Sequence, residues 1–145
     1  MDTEPDLTFC GLSLWVQGRE FPAASDYWDG NWLVIRAEMK ASGALVECGG
    51  PILMTGDVER FRNGVVGMVT TLSGEAALEG FEPGIRLALR MRGRGHVEGV
   101  VDITPDHLNQ QHRFNVEADQ SFLPALVSSC DAILDRFPVT NALAQ

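Results

Sequence analysis

Ile85-Arg86-Leu87-Ala88-Leu89-Arg90-Met91-Arg92-Gly93-Arg94-Gly95-His96-Val97-Glu98-Gly99-Val100-Val101-Asp102-Ile103 carries the most regular pattern in the chain. Ile85, Leu87, Leu89 and Met91 alternate with Arg86, Ala88, Arg90 and Arg92. Beyond Gly93-Arg94-Gly95, Val97, Gly99, Val101 and Ile103 alternate with His96, Glu98, Val100 and Asp102. A period of two sends each set to one side of a strand, so the stretch reads as an antiparallel hairpin with one buried face. Facing the apolar sets puts Met91 opposite Val97 and Leu87 opposite Val101. The same register places Arg90 against Glu98 and Arg86 against Asp102.

Outward from the hairpin, a short strand is expected at 75–79 and another at 108–118, with His112, Phe114 and Val116 on one side and Arg113, Asn115 and Glu117 on the other. Near the start, Phe9, Leu12, Leu14 and Val16 suggest a strand over about 8–18, ended by Pro22, and a loop is expected from 23 to 30. The run Trp32-Leu33-Val34-Ile35 opens a strand over about 31–42. Gly43 separates it from a third over about 44–53, where Gly49-Gly50-Pro51 suggests a bulge or an edge.

Two helices are expected. Over 56–72, Val58, Phe61, Val65, Met68 and Leu72 recur at three- and four-residue steps, with Thr55 as N-cap and Ser73-Gly74 as stop. Gly64 and Gly67 within it suggest close packing on the sheet, since each costs a helix about 1 kcal/mol relative to alanine. Over 121–137, Phe122, Leu126, Cys130, Ile133, Leu134 and Phe137 share a face; Pro124 falls in the first turn, and Asp119 or Ser121 is the N-cap. The sum is an α+β domain, an antiparallel β-sheet or sandwich of six to seven strands with two helices. We expect one domain over 1–145, with 1–7 and 139–145 as flexible ends.

The chain has 145 residues, with 20 acidic and 11 basic side chains and a formal charge of -9. That length can bury roughly 68–70% of its unfolded surface without disulfides or metal. The charge is uneven: -7 over 1–59, +3 over 60–95 and -5 over 96–145. Such a balance repels phosphate backbones and anionic lipid and favours a basic partner. No apolar run approaches the roughly 18 residues of a membrane span, and the acidic Met1-Asp2-Thr3-Glu4-Pro5-Asp6 is unlike a secretory signal, so a cytoplasmic protein is expected. Cys10, Cys48 and Cys130 are odd in number and far apart; buried reduced thiols are expected.

Catalytic signals are absent from the sequence. His107 and His112, five residues apart, fall on opposite faces of a strand, so no metal site or other cofactor is expected. No serine lies in a nucleophile elbow, and Gly93-Arg94-Gly95 lacks the helix a phosphate cradle needs. The arginine stripe Arg86, Arg90, Arg92 and Arg94 lacks interleaved aromatics and faces Glu98 and Asp102, which favours a salt-bridged sheet face over direct nucleic-acid binding. The most unusual segment is Ser25-Asp26-Tyr27-Trp28-Asp29-Gly30-Asn31-Trp32, which could be either a plugged core corner or an adhesive surface.

The run Phe21-Pro22-Ala23-Ala24-Ser25-Asp26-Tyr27-Trp28-Asp29-Gly30-Asn31-Trp32-Leu33, the block Leu72-Ser73-Gly74-Glu75-Ala76 and the closing Phe114…Asp119-Gln120-Ser121-Phe122-Leu123 resemble the WapI family of bacterial immunity proteins, in order and spacing, over roughly 9 to 138. The resemblance implies a non-enzymatic immunity protein. Members protect a cell from a secreted, contact-dependent toxin by binding its C-terminal toxic domain, often a nuclease. The expected partner is a basic toxin domain, with no membrane partner. The expected contact residues are Asp26, Tyr27, Trp28 and Asp29, then Glu98 and Asp102, with Trp32 in the core. The rival expectation is a small-molecule-binding or hydrolytic domain with a pocket at His112, Trp28 and Asp119.

Overall fold

The computed structural model describes residues 3–141. The chain opens with β1 (Leu7–Phe9) and β2 (Leu12–Arg19), then a single helical turn, α1 (Tyr27–Gly30). β3 (Trp32–Ala41), β4 (Ala44–Met54) and the long α2 (Thr55–Thr71) follow. Next come β5 (Glu75–Leu78), β6 (Ile85–Met91), β7 (His96–Ile103) and β8 (Arg113–Asp119), and the chain closes with α3 (Leu123–Arg136). β1 to β4 form one antiparallel meander and β5 to β8 a second. Among the described residues the architecture is α+β with eight strands, where six or seven were expected.

The extra strand comes from the segment read as one strand over 8–18. Phe9 and Leu12 are three residues apart, an odd step that no continuous strand can keep on one face. The chain instead turns at Cys10 (φ 49°) and Gly11 (φ 94°), a two-residue hairpin loop with both central residues at positive φ, and sets Phe9 opposite Leu12. The bulge-or-edge expectation for 49–51 holds on both counts. β4 is an edge strand, and its register slips where Leu33 faces Leu53 but Val34 faces Pro51.

The hairpin of β6 and β7 adopts the expected register, with Met91 opposite Val97, Leu87 opposite Val101, Arg90 opposite Glu98 and Arg86 opposite Asp102. The strand expected at 108–118 begins only at Arg113. Residues 108–112 belong to a loop in which the Asp106 carboxylate accepts from the Leu108 amide (3.2 Å) and from Asn109 Nδ2 (2.9 Å). His112 therefore lies outside the strand.

Buried side chains from both sheets, α2 and α3 make one core, with Phe61, Val65 and Met68 of α2 and Leu126, Cys130 and Ile133 of α3 among them. Arg62 Nε donates to Asp131 Oδ1 at 2.9 Å across the two helices. Met54, not Thr55, is the N-cap of α2, and its amide donates to Asp57 Oδ2 at 2.8 Å. A Cβ on Gly64 would lie 2.8 Å from Ala76 Cβ, so this glycine does mark close packing. Gly67 faces open space and marks none. Phe122, expected on the inner face of the last helix, is exposed in a 3-10 turn before α3, capped by Asp119, whose Oδ1 accepts from the Ser121 amide at 2.7 Å.

Of the cysteines only Cys130 is buried; Cys10 is exposed and Cys48 half-buried, and all three are free. Within the segments expected to be flexible ends, some described residues bond to the rest of the fold. Leu7 is buried, the Asp6 carboxylate takes the Val16 amide (2.7 Å) and Arg136 Nη1 (2.7 Å), and Thr140 bonds to Asn31. Residues 1, 2 and 142–145 lie outside the described residues. No helix among the described residues is long and apolar enough to cross a membrane.

Candidate functional site

The segment between β2 and β3 forms a compact turn. Asp26 caps α1, its Oδ2 accepting from the Asp29 amide (3.1 Å) and its carbonyl from the Gly30 amide (2.9 Å). Gly30 is needed for close approach, because a Cβ there would meet the Ala24 carbonyl at 3.1 Å and the Thr140 methyl at 3.4 Å. Asn31, fully buried, is the keystone. Its Nδ2 donates to the carbonyls of Tyr27 (2.8 Å) and Thr140 (2.9 Å), and its Oδ1 accepts from Thr55 Oγ1 (2.7 Å) and the Thr140 amide (2.7 Å). Arg19 adds a second tie, donating to the carbonyls of Gly30 (2.6 Å) and Pro138 (2.5 Å). A segment read as loop is thus locked by a buried asparagine to the start of α2 and to the C-terminal segment.

On this turn Tyr27 is half-buried and meets Trp28 edge-on, with ring centroids 5.0 Å apart at 90°. Trp28 is 51% exposed and lies 6.1 Å, at 52°, from Phe81 in the β5–β6 connection. Phe81 is itself 74% exposed. Asp26 and Asp29, both exposed, flank these rings. Trp32 departs from expectation. The inward residues of β3 are Leu33, Ile35, Ala37 and Met39, so Trp32 takes the outward face and is half-buried there, outside the core.

Glu98 and Asp102 lie on the outward face of the second sheet. Asp102 takes Arg113 of β8 through Nε (2.7 Å) and Nη2 (3.2 Å), Glu98 takes Arg92 (3.1 Å), and Arg86 turns instead to Glu79. Arg86 loses Asp102 because Arg113 stands opposite Asp102 on the other side and grips it with two bonds. Both carboxylates are paired with arginines, whereas the Asp26 carboxylate is engaged by the Asp29 amide as the cap of α1.

The pocket of the rival reading does not form. His112 precedes β8 and Asp119 ends it, roughly 20 Å apart at the rise of an extended strand, so they cannot share a site. His112 edges a cleft of about 280 Å³ with Glu79, Arg86, Asp102 and Arg113, where Arg86 pairs with Glu79 and Arg113 with Asp102. Among the described residues no three His, Cys, Asp or Glu side chains gather in a metal-holding group. Asp119 is held below the usual carboxylate range by the hydrogen bonds from Ser121, and Asp106 by that from Asn109, as expected of capping carboxylates.

The sequence reading did not single out Phe81. Its signal was available: in Glu79-Gly80-Phe81-Glu82-Pro83-Gly84 a large aromatic sits among turn residues, with no place in either strand's alternation.

No curated protein matches the chain in sequence. Among solved structures, a chain of the CdiA-CT/CdiI toxin and immunity complex from Enterobacter cloacae aligns at 11% identity, covering 83% of this chain and 99% of that one, with a TM-score of 0.45. WHY1 from Arabidopsis thaliana aligns at 10% identity over 87% of this chain and 78% of that one, TM-score 0.46. WHY3 from the same plant aligns at 11% over 87% and 81%, TM-score 0.47. The model of the immunity protein WapI-like family matches residues 6–138, nearly the whole described chain and every element above, and the chain belongs to that family.

Proposed function

We propose that this protein is a non-enzymatic immunity protein that binds and neutralises a cognate bacterial toxin domain in the cytoplasm of the cell that makes it. Family membership over residues 6–138 is the observation that carries the reading. The physical properties agree with it. A charge of -9 suits an inhibitor of a cationic domain, and a nuclease must present cationic groups to hold its phosphate substrate. Trp28, rigidly held and about half exposed between Asp26 and Asp29, has the character of an interface anchor: tryptophan and tyrosine dominate binding hot spots, and a preorganised anchor loses little entropy on docking. We assign contact to Asp26, Trp28 and Asp29, with Tyr27 as the support against which Trp28 stands. Glu98 and Asp102, already paired with arginines, are secondary.

Co-expression with the toxin domain encoded beside it tests the proposal. Rescue of growth together with co-purification of the two proteins is expected. Growth arrest despite abundant, folded immunity protein would overturn it.

A further inference from the structure

Three connections lie at one end of the molecule. The strand registers bring together the end of β2, the start of β3 and the end of β4, where Arg19 faces Leu33 and Leu33 faces Leu53. They likewise join the end of β5, the start of β6, the end of β7 and the start of β8, where Leu78 faces Leu87, Ile85 faces Ile103 and Asp102 faces Arg113. Contacts between the sheets show that these ends coincide. Trp28 meets Phe81 and Cys48 Sγ donates to the Thr104 carbonyl at 3.6 Å, while within the second sheet the Thr104 amide donates to the Gly84 carbonyl at 2.9 Å. Connections 20–31, 79–84 and 104–112 therefore share one end. The turn at Cys10-Gly11 and the Gly93–Gly95 turn lie at the other, where Cys10 Sγ reaches the Glu117 carbonyl at 3.5 Å.

The two ends differ in composition. The three connections hold Glu20, Asp26, Asp29, Glu79, Glu82 and Asp106 and no lysine or arginine, a formal -6 of the chain's -9. They also carry Trp28, Phe81 and Leu108, the last 81% exposed and sharing a shallow cleft with Pro83. The opposite end has exposed apolar side chains of its own, Leu72 and Phe122, but its charge is mixed: Arg94 shares a cleft there with Glu117 and Asp119. Large apolar side chains ringed by one sign of charge form an anchor-and-rim arrangement. The net negative charge decides the occupant, since the arginines nearest the connections, Arg86 and Arg113, are already paired with Glu79 and Asp102: it repels a second copy of the same end, phosphate backbones and anionic lipid, and attracts a cationic protein surface.

Building on the proposed function, we infer that this three-connection end is the docking surface for the toxin domain, with Phe81 and Trp28 as its anchors and Glu82 as a steering charge. The complementary surface on the toxin carries lysines or arginines around an apolar depression that receives the two rings.

The test is kinetic, using the toxin domain encoded beside this protein as the probe. Trp28→Ala and Phe81→Ala are each expected to weaken binding by about tenfold or more, through faster dissociation. Glu82→Lys should slow association several-fold at low salt, with a smaller effect at high salt. Leu72→Ala and Phe122→Ala at the far end should stay within about twofold of the wild type. All five side chains are exposed, and circular dichroism checks that each variant is folded. Tight wild-type binding that survives the loop-end changes but is lost at the far end would overturn the inference and leave the immunity reading standing. A wild type that neither binds nor rescues would end both.

Discussion

At Asn31 a side chain with no exposed surface satisfies four partners from three parts of the chain: Tyr27 in α1, Thr55 at the start of α2, and the amide and carbonyl of Thr140. Alanine there would leave buried donors and acceptors unmet, at a cost of about 1–3 kcal/mol. The Asn31→Ala variant should unfold at lower urea, and the Thr140 amide should lose its hydrogen-exchange protection. A second residue-scale effect belongs to Asp57, 2% exposed. Burial raises its pKa, outweighing the Met54 amide and the Arg60 guanidinium that favour the carboxylate. With the folded pKa above the unfolded one, its contribution to stability is complete below the ordinary carboxylate value and is lost as pH rises through the raised one. The stability of the wild type relative to Asp57→Asn is therefore expected to fall across that interval and level off above it. Parallel urea titrations at stepped pH measure this, and a difference independent of pH would refute it.

At the scale of elements, the two glycines of α2 offer a contrast of sign. Gly64→Ala gains about 1 kcal/mol of helix propensity but drives a methyl to 2.8 Å from Ala76 Cβ, and the overpacking, about 1–3 kcal/mol, should win. Gly67→Ala meets open space and should stabilise by up to about 1 kcal/mol. Thermal midpoints should move in opposite directions. The same comparison shows how far patterns reach. The alternation over 85–103 was enough to set the β6–β7 register, because a slip of one residue would turn Leu87, Leu89 and Val101 out to water. The ion pairs of Arg86 and Asp102 were not legible, since their choice depends on β8 and the β5–β6 connection, which the hairpin pattern does not contain. The turn at Cys10-Gly11 was written in the odd step from Phe9 to Leu12, and the apolar count alone hid it.

For the whole molecule, the important quantity is where the charge sits. The connections at one end hold six acidic residues, of which only Glu79 is paired with an arginine among the described residues, while the other end mixes Arg94 with Glu117 and Asp119, so the negative charge is concentrated at the first end. Association with a cationic partner should therefore slow markedly between low and physiological ionic strength, as the Debye length shrinks to about 8 Å, while dissociation changes little. Stopped-flow mixing across a salt series checks this, and an association rate indifferent to salt would rule out steering. Composition, periodicity and family resemblance determined the class of fold, the hairpin register, the net negative charge and the aromatic-acidic turn. These are local or summed properties, and a linear pattern records them directly. The tertiary structure decided that Trp28 faces outward while Trp32 lies half-buried on a sheet face, that Glu98 and Asp102 are spent on arginines, and that Phe81, more than fifty residues away in sequence, stands beside Trp28. Those outcomes depend on which chain ends the two sheets and the buried Asn31 bring together, and no local pattern encodes a meeting between distant segments.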